Sequence, residues 1–254
     1  MLETRDLTIC FGGHVAVDHV SCAFAPGTLT AIVGPNGAGK TTYFNLISGQ
    51  LRASEGSVKL DGIDITREAV SARTHRGLGR AFQLTQLFPG LSVVENVRVA
   101  VQSRRKEGLN LWSVWLDQRN TLERAHAMLE RVRLSDKADA LASSLPHGDQ
   151  RKLEVAMLMA LDPKVFMFDE PTAGMSVDEV PVILDLIRDL KARRNCTILL
   201  VEHKMDVVRE LADRIIVLHQ GALVAEGDPA TVIASPVVQE AYLGVAPRVR
   251  EVAR

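Results

Sequence analysis

Residues 34–42 read Gly34-Pro35-Asn36-Gly37-Ala38-Gly39-Lys40-Thr41-Thr42, a G-x-x-x-x-G-K-[ST] pattern without a mismatch. It follows the apolar run Leu29-Thr30-Ala31-Ile32-Val33 and leads into Tyr43-Phe44-Asn45-Leu46-Ile47. That is the strand, loop, helix context a phosphate-binding loop requires. Glycines let the backbone curl with its N–H groups inward, the helix N-terminus adds the positive end of a dipole, and Lys40 adds a full charge. Such a nest takes a polyphosphate, and the Thr41 hydroxyl suits a Mg2+ ion between the terminal phosphates. A glycine-rich turn matching by chance is the competing explanation, and the rest of the chain weighs against it.

With 254 residues, 46% of them hydrophobic, the chain has enough material for one large α/β domain or two small ones. A net charge of −1 argues against a general nucleic-acid binder, and the cluster Arg104-Arg105-Lys106 is short enough to read as solvated. Cys10, Cys22 and Cys196 are scattered without metal-ligand spacing, which fits buried thiols in a reducing compartment. No run reaches the roughly eighteen apolar residues a membrane helix needs, and Met1-Leu2-Glu3-Thr4-Arg5-Asp6 has no signal-peptide core. The expectation is a cytosolic protein whose membrane role, if any, comes through partners.

Residues 2–9 and 20–33 read as strands around a turn at Phe11-Gly12-Gly13-His14, and Gly56-Ser57-Val58-Lys59-Leu60 reads as a strand ending in the hairpin signal Asp61-Gly62. The start of the chain is therefore expected to be mainly antiparallel. Phe11 is either a ring that stacks on a nucleobase or an ordinary core or surface phenylalanine. Over 91–161 the spacing turns helical, with Leu122, Ala125, Met128, Leu129 and Val132 on one face and Val155, Leu158 and Met159 on another. Trp112 and Trp115 share a face in a polar segment and are either a partner anchor or a buried edge. Val165-Phe166-Met167-Phe168, Thr197-Ile198-Leu199-Leu200-Val201 and Ile215-Ile216-Val217-Leu218 are continuous apolar runs, the mark of a parallel sheet covered on both faces, with a helix expected over 182–190. Asp228-Pro229 and Ser235-Pro236 break the end of the chain into short helices ahead of a charged tail.

Asp169 and Glu170 stand at the carboxyl end of an apolar strand, where two carboxylates are costly unless a cation awaits them. Asp169 holding Mg2+, directly or through water, and Glu170 deprotonating the attacking water is a coherent division of labour. His203, just past another apolar strand, is placed to reach a terminal phosphate, and Gln83 to reach the metal or the water. Alone, neither residue would carry weight.

Together and in this order these residues resemble the nucleotide-binding subunit of ABC transporters over essentially the whole chain. The resemblance implies an α/β fold: a RecA-like P-loop NTPase core with an N-terminal antiparallel β subdomain (1–88 and 160–235), an inserted α-helical subdomain (89–159) and a C-terminal tail (236–254). It makes Phe11 the adenine-stacking aromatic, residues 34–42 the Walker A loop and Gln83 the Q-loop glutamine. Asp169 then closes Walker B, Glu170 is the catalytic base, Ala173-Gly174-Met175-Ser176 the D-loop and His203 the switch histidine. ATP and Mg2+ are the implied cofactors. Two such subunits close head to tail, each ATP lying between one P-loop and the other subunit's signature segment, here Leu145-Pro146-His147-Gly148-Asp149. Gln83-Leu84-Thr85-Gln86-Leu87-Phe88-Pro89 is where a membrane subunit is expected to dock.

The signature departs from the usual LSGGQ. Pro146 has neither the hydroxyl nor the N–H of the serine, and Asp149 replaces a neutral glutamine. Asp149 either complements the helix dipole or sets a like charge against the γ-phosphate, with His147 as an offsetting donor. The expectation is a mixed pair in which the site served by this signature turns over more slowly. Within the family, the segments around Gly174 and His203, the stretch after 102 and Tyr242-Leu243-Gly244 resemble the ATPases of branched-chain amino acid importers and their urea or amide relatives. That implies a peripheral subunit on the cytoplasmic side of the inner membrane, with a second ATPase, two permeases and, indirectly, a periplasmic binding protein. The alternatives are a urea or short-amide importer, a non-transport ATPase acting on nucleic acid, and a regulator with little turnover.

Overall fold

The N-terminal alternation folds as a hairpin, β1 (Leu2–Phe11) and β2 (His14–Phe24), paired from Leu2 opposite Phe24 to Phe11 opposite His14. The expected run over 20–33 is two strands. Ala25-Pro26-Gly27-Thr28 breaks it, the Thr28 hydroxyl donating to the Ala25 carbonyl (2.8 Å), and β3 (Leu29–Val33) follows, buried throughout. After β3 the loop leads into α1 (Lys40–Ser48). Next come β4 (Glu55–Leu60) and the short β5 (Ile63–Asp64), joined through Asp61 and Gly62 at φ 51° and 79°, as the hairpin signal predicts. These strands form an antiparallel sheet in the order β2-β1-β4-β5.

The computed structural model describes residues 1–81, 87–104, 118–236 and 238–239. It contains two units, Met1–Ala69 with Leu199–Arg254, and Val70–Ile198. The second begins with α2 (Val70–Arg76) and β6 (Leu78–Ala81). It continues through α3 (Val93–Arg104), α4 (Gln118–Arg131), α5 (His147–Leu161), β7 (Val165–Asp169) and α6 (Val180–Ala192). Strand β8 (Thr197–Val201) crosses the boundary, and the first unit resumes with α7 (Met205–Leu211), β9 (Arg214–His219), β10 (Ala222–Gly227) and α8 (Pro229–Ile233).

In the first unit β3 runs parallel to β9, and β10 returns antiparallel on β9. Ala31, Val33, Val208, Ile215, Val217, Val232 and Val238 form one cluster there. Pro229 opens α8 with Asp228 as its cap, the carboxylate accepting from the N–H groups of Ala230 (3.0 Å) and Thr231 (3.2 Å). In the second unit β6 and β7 are parallel, from Leu78 opposite Val165 to Ala81 opposite Phe168. Continuous apolar runs thus do mark parallel strands, because both faces are covered.

The helical stretch packs as its spacing requires, with one difference. Ala125, Leu129 and Val132 are buried, but Leu122 is 39% exposed and Thr121 takes the inward position one turn before Ala125. The fully buried Asn96 of α3 fastens the loop ahead of it. Its Oδ1 accepts from Phe88 N–H (2.8 Å), and its amide donates to the carbonyls of Phe88 (3.1 Å) and Ser92 (2.9 Å). That side chain satisfies the Phe88 and Ser92 groups, while the backbone of 140–143 bonds to Pro89, Leu91 and Val93.

Candidate functional site

The phosphate-loop sequence takes the shape its glycines permit. Gly34 has φ 153°, and a Cβ there would lie 2.1 Å from the Leu218 carbonyl oxygen, so only glycine lets the chain leave β3 against β9. Ala38 is buried, while Asn36 and Gly37 form the exposed tip. Helix α1 starts from Gly39 in the left-handed region, with no side-chain cap and no acidic residue in its first turn. No capping oxygen or carboxylate of that turn therefore competes with an anion at the helix start. Lys40 is buried, and its Nζ donates to the carbonyls of Gly34 (2.7 Å) and Pro35 (2.9 Å), stitching the loop. Thr41 is exposed and Thr42 half-buried beside it.

The hairpin that carries Phe11 belongs to the same unit. Asp18 N–H donates to the Gly221 carbonyl (2.9 Å), and Gly221 N–H donates to the Ala38 carbonyl (3.1 Å), so β2, the β9–β10 turn and the loop are tied in series. Phe11, at the end of β1, is 48% exposed. A core position is excluded, and a stacking ring and an ordinary surface phenylalanine both agree with that exposure.

The carboxylates close β7 in the second unit. Asp169 is buried, and its Oδ2 accepts from the Arg80 guanidinium at 2.7 Å, the two side chains being 1% and 5% exposed. A cation does await it, and the protein supplies one. Burial lowers the Arg80 pKa from its ordinary value, and Asp169 opposes that. The other oxygen, Oδ1, is buried without a hydrogen-bond partner among the described residues. An orphaned carboxylate oxygen fits a group kept for a cation. Among the described residues no three His, Cys, Asp or Glu side chains cluster as a metal site, so an ion at Asp169 takes other ligands as well. Glu170 follows at φ 48°, half-buried, its carbonyl accepting from Ala173 N–H (3.1 Å). Removing Arg80 strands the buried Asp169 charge. Arg80→Met should cost about 3–5 kcal/mol in urea unfolding, and adding Asp169→Asn should restore much of it.

The segment 145–149 opens α5. Pro146 is the N-cap, at φ −57° and ψ 156°, without a side-chain cap bond. The Gln150 side chain donates to the Leu145 carbonyl (2.9 Å), tying the chain ahead of Pro146 to the helix. Leu145 and Gly148 are buried, Pro146 and His147 exposed. Asp149 is buried: Oδ1 accepts from Lys152 Nζ (2.9 Å) and Oδ2 from Lys137 Nζ. Burial pushes its carboxyl up, but the two lysines outweigh that and hold it below the usual range. A bare charge toward a phosphate is thus not its state.

These features match known proteins. The family model described as ABC transporter matches residues 17–173, more than half of the chain. The chain belongs to the ABC transporter family. A model described as branched-chain amino acid ATP-binding cassette transporter matches residues 222–246 of this cassette. The cassette is 38% identical over 251 residues to the high-affinity branched-chain amino acid transport ATP-binding protein LivG of Escherichia coli (strain K12), covering 97% of this chain and 98% of that one. It is 37% identical over 252 residues to BraF of Pseudomonas aeruginosa, with the same coverage. Among solved structures, a nucleotide-free ATP-binding cassette from an ABC transporter superposes with a TM-score of 0.81 at 30% identity, covering 96% of this chain and 99% of that one. The ADP conformation of an ATP-binding cassette gives 0.79 at 30% identity, with the same coverage. The expected fold class is the one found.

Elsewhere in the cassette, His203 is exposed on the loop after β8, which the buried Glu202 carboxylate shapes by accepting from the N–H groups of His203 (3.0 Å) and Lys204 (3.3 Å). Gln83, the expected docking residues 83–86, Trp112, Trp115 and Tyr242 to Gly244 lie outside the described residues. Sequence reasoning did not find Arg80, Lys137, Lys152, Glu179 or Glu202. Only Glu202, a carboxylate ending an apolar strand just as Asp169 does, carries a signal that could have been read.

Proposed function

We propose that this cassette powers the uptake of branched-chain amino acids. As an ABC cassette it binds and hydrolyses ATP, works as a dimer and associates with membrane permeases. Among the described residues no helix is long and apolar enough to cross a membrane. Near-full-length identity to transport proteins named for branched-chain amino acids, together with the match over 222–246, supports the substrate. The observation that carries the chemistry is the stitched loop of residues 34–42 opening onto the uncapped start of α1.

In this reading the amides of 37–42 and Lys40 hold the β- and γ-phosphates, and Phe11 stacks on the adenine. Thr41, Gln83 and Asp169 would hold Mg2+, which when bound neutralises charge on the phosphates. Glu170 takes the proton of the attacking water, and His203 steadies the γ-phosphate side. Residues 145–149 serve the nucleotide of the facing subunit, a second, non-identical ATPase. The helical subdomain is 89–159, and the docking segment 83–89 meets a permease on the cytoplasmic face. A periplasmic binding protein delivers the solute.

The test is reconstitution of the cassette with the permeases and binding protein encoded beside it. ATP hydrolysis should rise severalfold with leucine-loaded binding protein and need Mg2+. Stimulation by urea or a short amide but not by leucine would transfer the assignment to the urea or short-amide importers. No stimulation by any solute-loaded binding protein would end the transport reading.

A further inference from the structure

A carboxylate on the first turn of a helix complements the dipole, but on a helix that must also receive a triphosphate it repels the ligand unless cancelled. Asp149 is cancelled twice. Both of its oxygens are engaged and its side chain is 7% exposed, with Lys152 one turn further along α5 and Lys137 arriving from the short 3-10 turn Ser135–Lys137. Lys152 goes further. Its Nζ also reaches Glu179 Oε1 (3.1 Å), and Glu179 Oε2 accepts from the Ser176 N–H (3.1 Å) and hydroxyl (2.9 Å). The Glu179 carboxylate occupies the space of a missing side chain: a Cβ on Gly148 would meet it at 2.3 Å. A Cβ on Gly174 would in turn lie 3.1 Å from the His147 ring. Segments 145–149 and 173–176 are thus joined by a run of alternating charges, Lys137, Asp149, Lys152, Glu179, that sums to zero.

We propose that Lys137 and Lys152 are positioning residues that make an aspartate-bearing signature competent: they neutralise Asp149, and Lys152 locks the segment through Glu179 to the turn at Ser176. The proposal rests on the reading that residues 145–149 meet a nucleotide held by the facing subunit. Without either lysine, one uncancelled negative charge is left on the helix turn that receives the phosphates. A packing role alone would not need opposite charges on both sides of Asp149.

Lys137 is the residue to change, because it is 40% exposed and its truncation leaves the buried members in place. In the assembled transporter, Lys137→Met should raise the KM for ATP about threefold to tenfold while kcat stays within about twofold. The rise should be larger at low ionic strength. With Asp149→Asn already present, the same change should move KM by less than about twofold, since there is no charge left to cancel. An unchanged KM, or an equal penalty with and without Asp149→Asn, overturns the proposal. His147→Glu, on the exposed side of the same turn, separates the two levels. It adds a carboxylate at an exposed position and should raise KM if the segment meets a nucleotide. If His147→Glu leaves KM unmoved, the reading of the segment fails and the proposal with it. If His147→Glu raises KM but Lys137→Met does not, the proposal alone falls.

Discussion

Lys40→Ala should weaken ATP binding by about a hundredfold or more and abolish transport-coupled hydrolysis, with the chain still folded. Lys40 is the one full positive charge within the loop 34–42, and it is buried, so little solvent screens it. Its Nζ is already placed, spanning the carbonyls of Gly34 and Pro35 at 2.7 and 2.9 Å. A terminal phosphate entering the loop therefore meets an ammonium whose stem needs little further ordering. Loss of a charge-assisted contact costs about 1.5–3 kcal/mol, and the loop also loses the stitch that shapes its amides. Lys40→Arg should not rescue binding, because a planar fork does not replace a compact ammonium held between two carbonyls. Titration with a fluorescent ATP analogue reads the affinity, and circular dichroism reports the fold. Near-normal affinity for Lys40→Ala would remove the phosphate-loop reading.

What could be read from the sequence was local or periodic. The phosphate loop declares itself through nine contiguous residues, and β7, β8 and β9 through unbroken apolar runs, because strands covered on both faces leave no polar position. Strand β6 had no such signal. Leu78-Gly79-Arg80-Ala81 carries a glycine and an arginine, and it is a strand because it pairs with β7. The Arg80–Asp169 pair was invisible for the same reason: its partners are 89 positions apart, and only that pairing brings them together. Asp149 shows the limit most clearly. Its sequence context left open whether the carboxylate faces a phosphate, and the deciding lysines lie on a preceding turn and one helical turn ahead. Leu122 was misplaced because its apolar character fitted the stripe, whereas the inward position is held by Thr121.

Glu170→Gln should lower turnover by about 10²–10⁴-fold while changing the KM for ATP only a few-fold. The substitution keeps the size and hydrogen-bonding reach of the side chain but removes the carboxylate proposed to accept a proton from water. Geometry makes it a clean test. Glu170 sits at φ 48° directly after β7, a left-handed conformation unusual for a long side chain, in a turn closed by Ala173 N–H on its carbonyl. Glutamine inherits the same backbone, so the melting temperature should barely move. The variant should bind ATP and stay closed with its facing subunit, which size-exclusion chromatography with ATP would show as a persistent dimer. If the pair is mixed and this chain's signature serves the partner's nucleotide as proposed, Glu170→Gln here and the equivalent change in the partner should cost unequal amounts, because Pro146 stands in place of a hydroxyl donor. Equal losses would mean that Pro146 imposes no penalty and that the two sites are functionally alike. Turnover near normal in Glu170→Gln would move the base elsewhere, and His203, exposed after β8, would be the next residue to replace.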